Sequence, residues 1–187
     1  TIDKPNIRCR LVAQELGYGV REDELYAGTP SLATMKLLLA LYACMWTPDL
    51  VIGVIDVKSA FLYGMARRRI YIELRTQDEH SGKEWVGLLE RSMYGTRDAP
   101  LIWRCMVDDT MKDLGCTCSV LQPGVYCHHE KGLKVMTHVD DFLVTGKELE
   151  VKWFEEELKK LFEIKCTLMG QNHEKECKYL NRKITWT

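Results

Sequence analysis

No apolar run in this sequence reaches the ~18 residues that a membrane-crossing helix needs. Residues 1–15 are polar and basic and contain no apolar stretch of the kind found in a secretory signal, so no leader is expected. Net charge is also nearly missing: 26 Lys and Arg against 27 Asp and Glu leave −1. That balance neither requires nor excludes a nucleic-acid partner, because a local basic groove can sit on a neutral protein. No internal repeat or low-complexity stretch appears. What is present is an ordinary globular composition, 46% hydrophobic and 28% charged over 187 residues. That suits one domain, or one with a small annex, whose core needs neither disulfides nor a structural metal. The chain opens on Thr1, as a fragment or processed piece would. Cys9, Cys44, Cys105, Cys116, Cys118, Cys127, Cys166 and Cys177 come without a secretory signal, so they are read as reduced, in an intracellular compartment. Cys44 and Cys105 fall within helical apolar patterns, where a thiol packs as a small hydrophobe.

Periodicity predicts the elements. Residues 6–14 read as a short basic strand and 17–29 as an acidic, Gly-bearing loop. Thr29-Pro30 would cap and open a helix carrying Leu32, Met35, Leu39, Tyr42 and Met45 on one face, closed by Pro48. VIGVIDV (51–57) is apolar and β-branched, as a strand buried on both faces would be. Residues 70–74 alternate as a strand, and 85–90 form a weaker one. Pro100 opens a second helix with Trp103, Met106 or Val107, Thr110 and Leu114 on one face and Gly115 beyond its end. Residues 132–146 read as a hairpin, 147–162 as a helix with Val151, Phe154, Leu158 and Leu161 buried, and the terminal KYLNRKITW as a strand. On that third helix Glu155/Lys159 and Glu156/Lys160 stand as i,i+4 pairs. The sum is an α+β plan: an antiparallel sheet with helices packed on one face.

Carboxylates inside apolar β structure are the chemical signal. Asp56 interrupts VIGVIDV, and Asp140-Asp141 separates two apolar runs. A carboxylate there costs several kcal/mol unless it is paired or bound to a cation. Adjacent carboxylates repel, so one takes up a proton unless a divalent ion neutralises them. Two Mg²⁺ ions, each content with one or two carboxylates plus phosphates, would make this a phosphoryl-transfer site. Spacing alone leaves a second reading standing, in which the pair are turn residues and Asp56 caps a strand end. A decoy repeats the letters: Val107-Asp108-Asp109 matches Val139-Asp140-Asp141, but its helical period turns both acids toward solvent, and no chemistry is assigned to it.

These residues resemble the reverse transcriptase domain of copia-type LTR retrotransposons. RCRLVAQ (8–14), DVKSAFLYG (56–64), IYIEL (70–74), RSMYGTRDAPLIW (91–103), HVDDFLV (138–144) and KYLNRKI (178–184) occur in the family's order. The resemblance implies a palm over 51–187 with a ferredoxin-like core, preceded by partial fingers and a leading palm helix over 1–50; thumb, connection and RNase H would be absent. It implies RNA-directed DNA polymerisation with two Mg²⁺ (Mn²⁺ as substitute), a primed RNA or DNA template and deoxynucleoside triphosphates. Integrase and RNase H regions, and a cytoplasmic virus-like particle, would belong to the full element. Asp56, Asp140 and Asp141 match the catalytic metal ligands, with the Val57 carbonyl beside them. Phe61 matches an aromatic gate against a ribose 2′-hydroxyl; by itself it reads as a core aromatic. Tyr94, Gly95 and Arg97 match a loop packed on nucleotide and template, which otherwise reads as a turn. Arg8 and Arg10 match fingers residues for the triphosphate, a task that suits a bidentate guanidinium; they read equally as solvated strand charges. Departures are His138 in place of the usual Tyr, and Gln122-Pro123-Gly124 where an Asp usually precedes the strand tyrosine, here Tyr126.

Three further features carry less. Cys116, Cys118, Cys127, His128 and His129 suggest zinc, but Cys-Thr-Cys is tighter than the usual ligand spacing. Arg67-Arg68-Arg69 is either a solvated loop or a phosphate contact. Trp85, Trp153 and Trp186 lack the basic interleaving of a stacking platform. Competing functions are an inactive retroelement fragment with weak nucleic-acid binding, and a different two-metal enzyme such as a nuclease or cyclase; neither of the latter needs the 91–103 loop.

Overall fold

The computed structural model describes residues 11–15, 28–74 and 85–186. In chain order its elements are α1 (Leu32–Cys44), β1 (Leu50–Val57), a 3-10 turn (Ala60–Tyr63), β2 (Tyr71–Glu73), β3 (Val86–Leu88), α2 (Ala99–Asp113), β4 (Thr117–Cys118), β5 (Val125–His128), β6 (Leu133–His138), β7 (Asp141–Lys147), α3 (Glu148–Lys159), β8 (Ile164–Met169), β9 (Glu176–Tyr179) and β10 (Arg182–Thr185). The apolar run that promised a doubly buried strand becomes β1, an interior strand paired with β7 and β8 in an antiparallel sheet ordered β4-β5-β6-β7-β1-β8. β2 pairs with β3 and β9 with β10 as two small hairpins. Taking β1, α2, β6, β7, α3 and β8 in turn gives a βαββαβ succession with β1 between β7 and β8, the ferredoxin-like arrangement.

Both faces of the sheet are covered. Val51, Ile55 and Val57 of β1 join Trp103, Val107 and Met111 of α2 and Val151, Phe154 and Leu158 of α3 in one core. Ile52, on the opposite side of the pleat, joins Met35, Leu38 and Tyr42 of α1 and Cys177 and Tyr179 of β9 in a second. So α2 and α3 share one face as expected, while α1 and the β9–β10 hairpin cover the other.

Several boundaries differ from the sequence expectation. α1 is capped by Ser31, whose side chain accepts from Thr34 N at 3.3 Å, so Thr29-Pro30 lies before the helix. A hydroxyl at the first position with orphan N–H groups to satisfy decides the start. Leu38 joins Met35 and Tyr42 as buried, Leu39 packs half-buried beside them, and Met45 and Cys44 are exposed. α3 stops at Lys159; the chain then tightens, with Leu161 N and Phe162 N both bonding Leu158 O. That rotation leaves Leu161 52% exposed and buries Phe162 instead. Glu155–Lys159 forms at 2.9 Å, but Lys160 takes Glu157 at 2.6 Å rather than Glu156. β8 has a mixed polar pattern that periodicity missed. The terminal segment is a hairpin, not one strand: Leu180 and Asn181 sit at φ 49° and 58°, the left-handed pair of a tight turn. Residues 11–15 form no regular element, and the rest of the expected first strand and most of the 17–29 loop lie outside the described residues. Among the described residues no helix is long and apolar enough to cross a membrane.

Candidate active site

Strand register brings the aspartates together. Asp56, the penultimate residue of β1, is the cross-strand partner of Asp141, the first residue of β7. Asp141 is in turn the partner of His138, the last residue of β6. Side chains of directly opposed residues share a face with Cβ atoms about 4.5–5.5 Å apart, so all three project from one end of the sheet. Asp140 sits at the hairpin tip between them, and its carbonyl accepts from Val57 N at 2.9 Å.

That tip is held in an unfavourable backbone conformation. Val139 has φ 58°, which costs a β-branched residue about 1–3 kcal/mol. Trp103, buried in α2, donates its indole N–H to the Val139 carbonyl at 2.7 Å. Tyr179 of β9 reaches the Asp141 carbonyl from the other side at 3.5 Å. The sequence reading placed Trp103 on a buried helix face but missed the anchor; the available signal was that a buried indole N–H needs an acceptor.

Burial pushes the Asp141 carboxyl above its ordinary 3.8, the negative charges of Asp140 and Asp56 push it further, and His138 offsets part of this. An open cleft of about 440 Å³ lies over the tip, lined by His138, Val139, Asp140, Asp141, Lys178, Leu180 and Asn181. Among the described residues no three His, Cys, Asp or Glu side chains form a group that could by itself hold a metal ion. The donor set still fits Mg²⁺, which rarely uses an all-protein cage and takes one or two carboxylates with substrate phosphates. A cation here would relieve the charge crowding at Asp141.

Phe61, in the 3-10 turn, and Tyr94 come together with ring centroids 4.8 Å apart. Phe61 also packs against the core beneath, so its gate and core readings are compatible. Gly95 has φ 89°, and a Cβ there would stand 1.9 Å from the Ala13 carbonyl oxygen, so only glycine fits. Ala13 N bonds Tyr94 O at 2.7 Å, and Arg97 N bonds Glu15 Oε2 at 2.8 Å. The loop is therefore stitched to residues 11–15. Glu15, Arg68 and Asp98, none of them singled out individually from sequence, form an ion-pair cluster at this seam. Arg8 and Arg10 lie outside the described residues.

Asp108 of the decoy and His128 of the cysteine cluster have structural partners. Asp108 accepts from Arg104 Nε and the Tyr126 hydroxyl. His128 is buried edge-on to Trp153 at 5.5 Å, and its Nδ1 accepts from Lys131 N at 3.4 Å.

The profile of a family described as "Reverse transcriptase (RNA-dependent DNA polymerase)" matches residues 3–173. The retrovirus-related Pol polyprotein from transposon TNT 1-94 of Nicotiana tabacum is 31% identical over 147 residues, covering 75% of this chain and 11% of that protein. Among solved structures, the chain is similar to telomerase from Candida albicans in complex with a TWJ fragment of telomeric RNA (11% identity, TM-score 0.49, 89% of this chain and 34% of that one). It is similar too to apo telomerase from Candida tropicalis truncated from its C-terminal domain (11% identity, TM-score 0.49, 84% and 39%).

Proposed function

The chain belongs to the reverse transcriptase family, of copia type, and from that premise we propose that it is a catalytic palm that extends a primer 3′-hydroxyl with deoxynucleotides along an RNA or DNA template. The primer 3′-oxygen bonds the α-phosphorus as the bridging α–β bond breaks; the hydroxyl proton leaves to solvent, and pyrophosphate departs. Asp56, Asp140 and Asp141, with the Val57 carbonyl, would hold two Mg²⁺ ions, for which Mn²⁺ could substitute. Such ions would supply positive charge to offset the negative charge that develops during phosphoryl transfer. Phe61 closes the sugar side of the site to a 2′-hydroxyl, and Tyr94, Gly95 and Arg97 receive nucleotide and template. Arg8 and Arg10 draw in the triphosphate. His138 stands beside the primer end. In the parent element, integrase and RNase H regions of the polyprotein accompany this palm within a cytoplasmic virus-like particle.

One observation carries this reading: the β1–β7–β6 register that opposes Asp56 to Asp141 and Asp141 to His138 at a single sheet end. The test is extension of oligo(dT) on poly(rA) with dTTP and Mg²⁺ or Mn²⁺. Wild-type chain extends the primer and Asp140→Asn does not. The chain spans 11% of the tobacco polyprotein. Duplex binding without extension by the wild-type chain would instead identify an inactive retroelement fragment.

A further inference from the structure

The basic tripeptide Arg67-Arg68-Arg69 reads from sequence as a solvated loop or a phosphate contact, and its central residue is neither. The Arg68 guanidinium grips Glu15 with both terminal nitrogens, Nη1 to Oε1 and Nη2 to Oε2, each at 2.6 Å. Its Nε and Nη2 also reach Asp98 Oδ2 and Oδ1 at 3.1 and 3.2 Å. Four N–H groups of one planar fork are thus directed at two carboxylates. Asp98 is buried at the head of α2, so the fork is anchored on a rigid element.

Glu15 passes the constraint on. The same Oε2 that accepts from Arg68 accepts the Arg97 amide at 2.8 Å. Two residues earlier, Ala13 N holds Tyr94 O at 2.7 Å, and the Ala13 carbonyl lies where a Gly95 side chain would be. Residues 11–15 cannot shift without moving Tyr94, whose ring leans on Phe61 at 4.8 Å. Arg68 is 43% exposed, so as an isolated ion pair it would stabilise the fold little. Its geometry is that of a clamp with one output, the position of the 94–97 loop.

We propose that Arg68 is a positioning residue: through Glu15 and Asp98 it fixes residues 11–15 against the 94–97 loop, and so sets how tightly the site holds a deoxynucleotide and how strictly it rejects a ribonucleotide. The nucleotide half of this proposal rests on the polymerase reading above; the clamp half does not. Arg68→Ala, Glu15→Ala, the double variant and Arg68→Lys are compared with wild-type chain. Amide exchange of peptides covering 92–98 is measured first, without substrate. Steady-state extension of oligo(dT) on poly(rA) then gives KM and kcat for dTTP and the preference for dTTP over UTP.

Arg68→Ala should speed exchange of 92–98 while β1 and β7 stay protected. The KM for dTTP should rise about tenfold, kcat should move less than about threefold, and dTTP preference should fall about fivefold, as a loosened positioning contact predicts. Glu15→Ala should do the same and the double variant no more, because both act through one contact. Arg68→Lys should recover part of the loss, and it keeps the comparison readable if the alanine variants fold poorly. Unchanged exchange of 92–98 overturns the clamp whatever the kinetics. Faster exchange with unchanged KM and unchanged dTTP preference overturns its role in nucleotide selection. A wild-type chain that extends no primer removes the polymerase reading, and exchange alone then decides the clamp.

Discussion

Val107-Asp108-Asp109 and Val139-Asp140-Asp141 are the same three letters in two places, and their neighbours give them opposite characters. On α2, the helix repeat puts Arg104 one turn before Asp108, where its Nε lies 3.0 Å from both carboxylate oxygens. The Tyr126 hydroxyl adds a hydrogen bond at 2.6 Å, and Asp109 faces solvent. That charge is already neutralised inside the fold. At the β6–β7 tip, strand pairing sets Asp141 opposite another carboxylate, Asp56, and next to a third, Asp140. The first pair is consumed by structure, whereas the second stores a charge imbalance that a cation can resolve. A tripeptide is therefore no guide to chemistry until its partners across the fold are known.

Removing chemistry from one pair and not the other is the sharpest way to break that contrast. Asp141→Asn should lower primer extension by at least about 100-fold, the scale of losing charge stabilisation at a reacting centre. Asp108→Asn should stay within about threefold of wild type, its loss being structural. Equal losses in the two variants, measured by primer extension, would sink the assignment.

Next in size is the anchor that shapes the β6–β7 tip and has no counterpart at the decoy. Trp103→Phe keeps an aromatic ring in the core but loses the pyrrole ring and with it the donor to Val139 O, the bond that holds a left-handed valine. Extension should fall about tenfold, since small misplacements of a catalytic group are costly. The melting free energy should drop by only about 1 kcal/mol. A variant that melts like wild type and extends like wild type would show that Trp103 is packing alone.

Stability in metal-free buffer should move the two pairs in opposite directions. Asp141 has its carboxyl raised above 3.8 by burial and by Asp140 and Asp56, so its charged form works against the fold once the pH exceeds that raised value. Asp141→Asn should therefore raise the thermal midpoint at pH 7 by about 2 °C. Asp108→Asn should lower stability by about 1 kcal/mol, discounted because the pair is partly exposed. Mg²⁺ should raise the wild-type midpoint and leave that of Asp141→Asn nearly unmoved.

The smallest effect concerns pH at the clamp. The Arg68 hydrogen bond holds the Glu15 carboxyl below its ordinary 4.5. A lowered folded value means that the contribution of this contact is fully present above 4.5 and is lost as the pH falls through the lowered value. Exchange of the 92–98 amides should quicken in that acid window in wild type, after correction for the intrinsic pH dependence of exchange, and should already be quick at neutral pH in Arg68→Ala.

Much of the architecture could be read from local pattern. VIGVIDV named an interior strand, and two apolar runs named the hairpin, because buried strands need continuous apolar residues whatever they pair with. β8 was missed although Ile164, Cys166 and Leu168 alternate with Lys165 and Thr167, because the alternation is short and only the closing Met169 is fully buried. The turn at Leu180-Asn181 was lost in a segment that looked uniformly strand-like. At the site, ordered motif blocks pointed to Asp56, Asp140, Asp141, Phe61, Tyr94, Gly95 and Arg97. The supports of these residues, Trp103, Glu15, Arg68 and Asp98, were hidden because each lies tens of positions from what it holds, as with Glu15 and Arg97 at a separation of 82.

By itself, the sequence determined which segments must be buried and where acids interrupt them, because hydrophobic period and turn chemistry are local properties. In sequence Gly95 read equally as a simple turn residue; that no side chain fits there was decided by the Ala13 carbonyl folded against it. Tertiary structure alone decided that Asp56 opposes Asp141, that Arg104 answers Asp108, and that Arg68 reaches Glu15 and Asp98. Electrostatics acts through space: the charge a carboxylate feels is set by strand register and helix packing, which bring together residues that the chain keeps far apart.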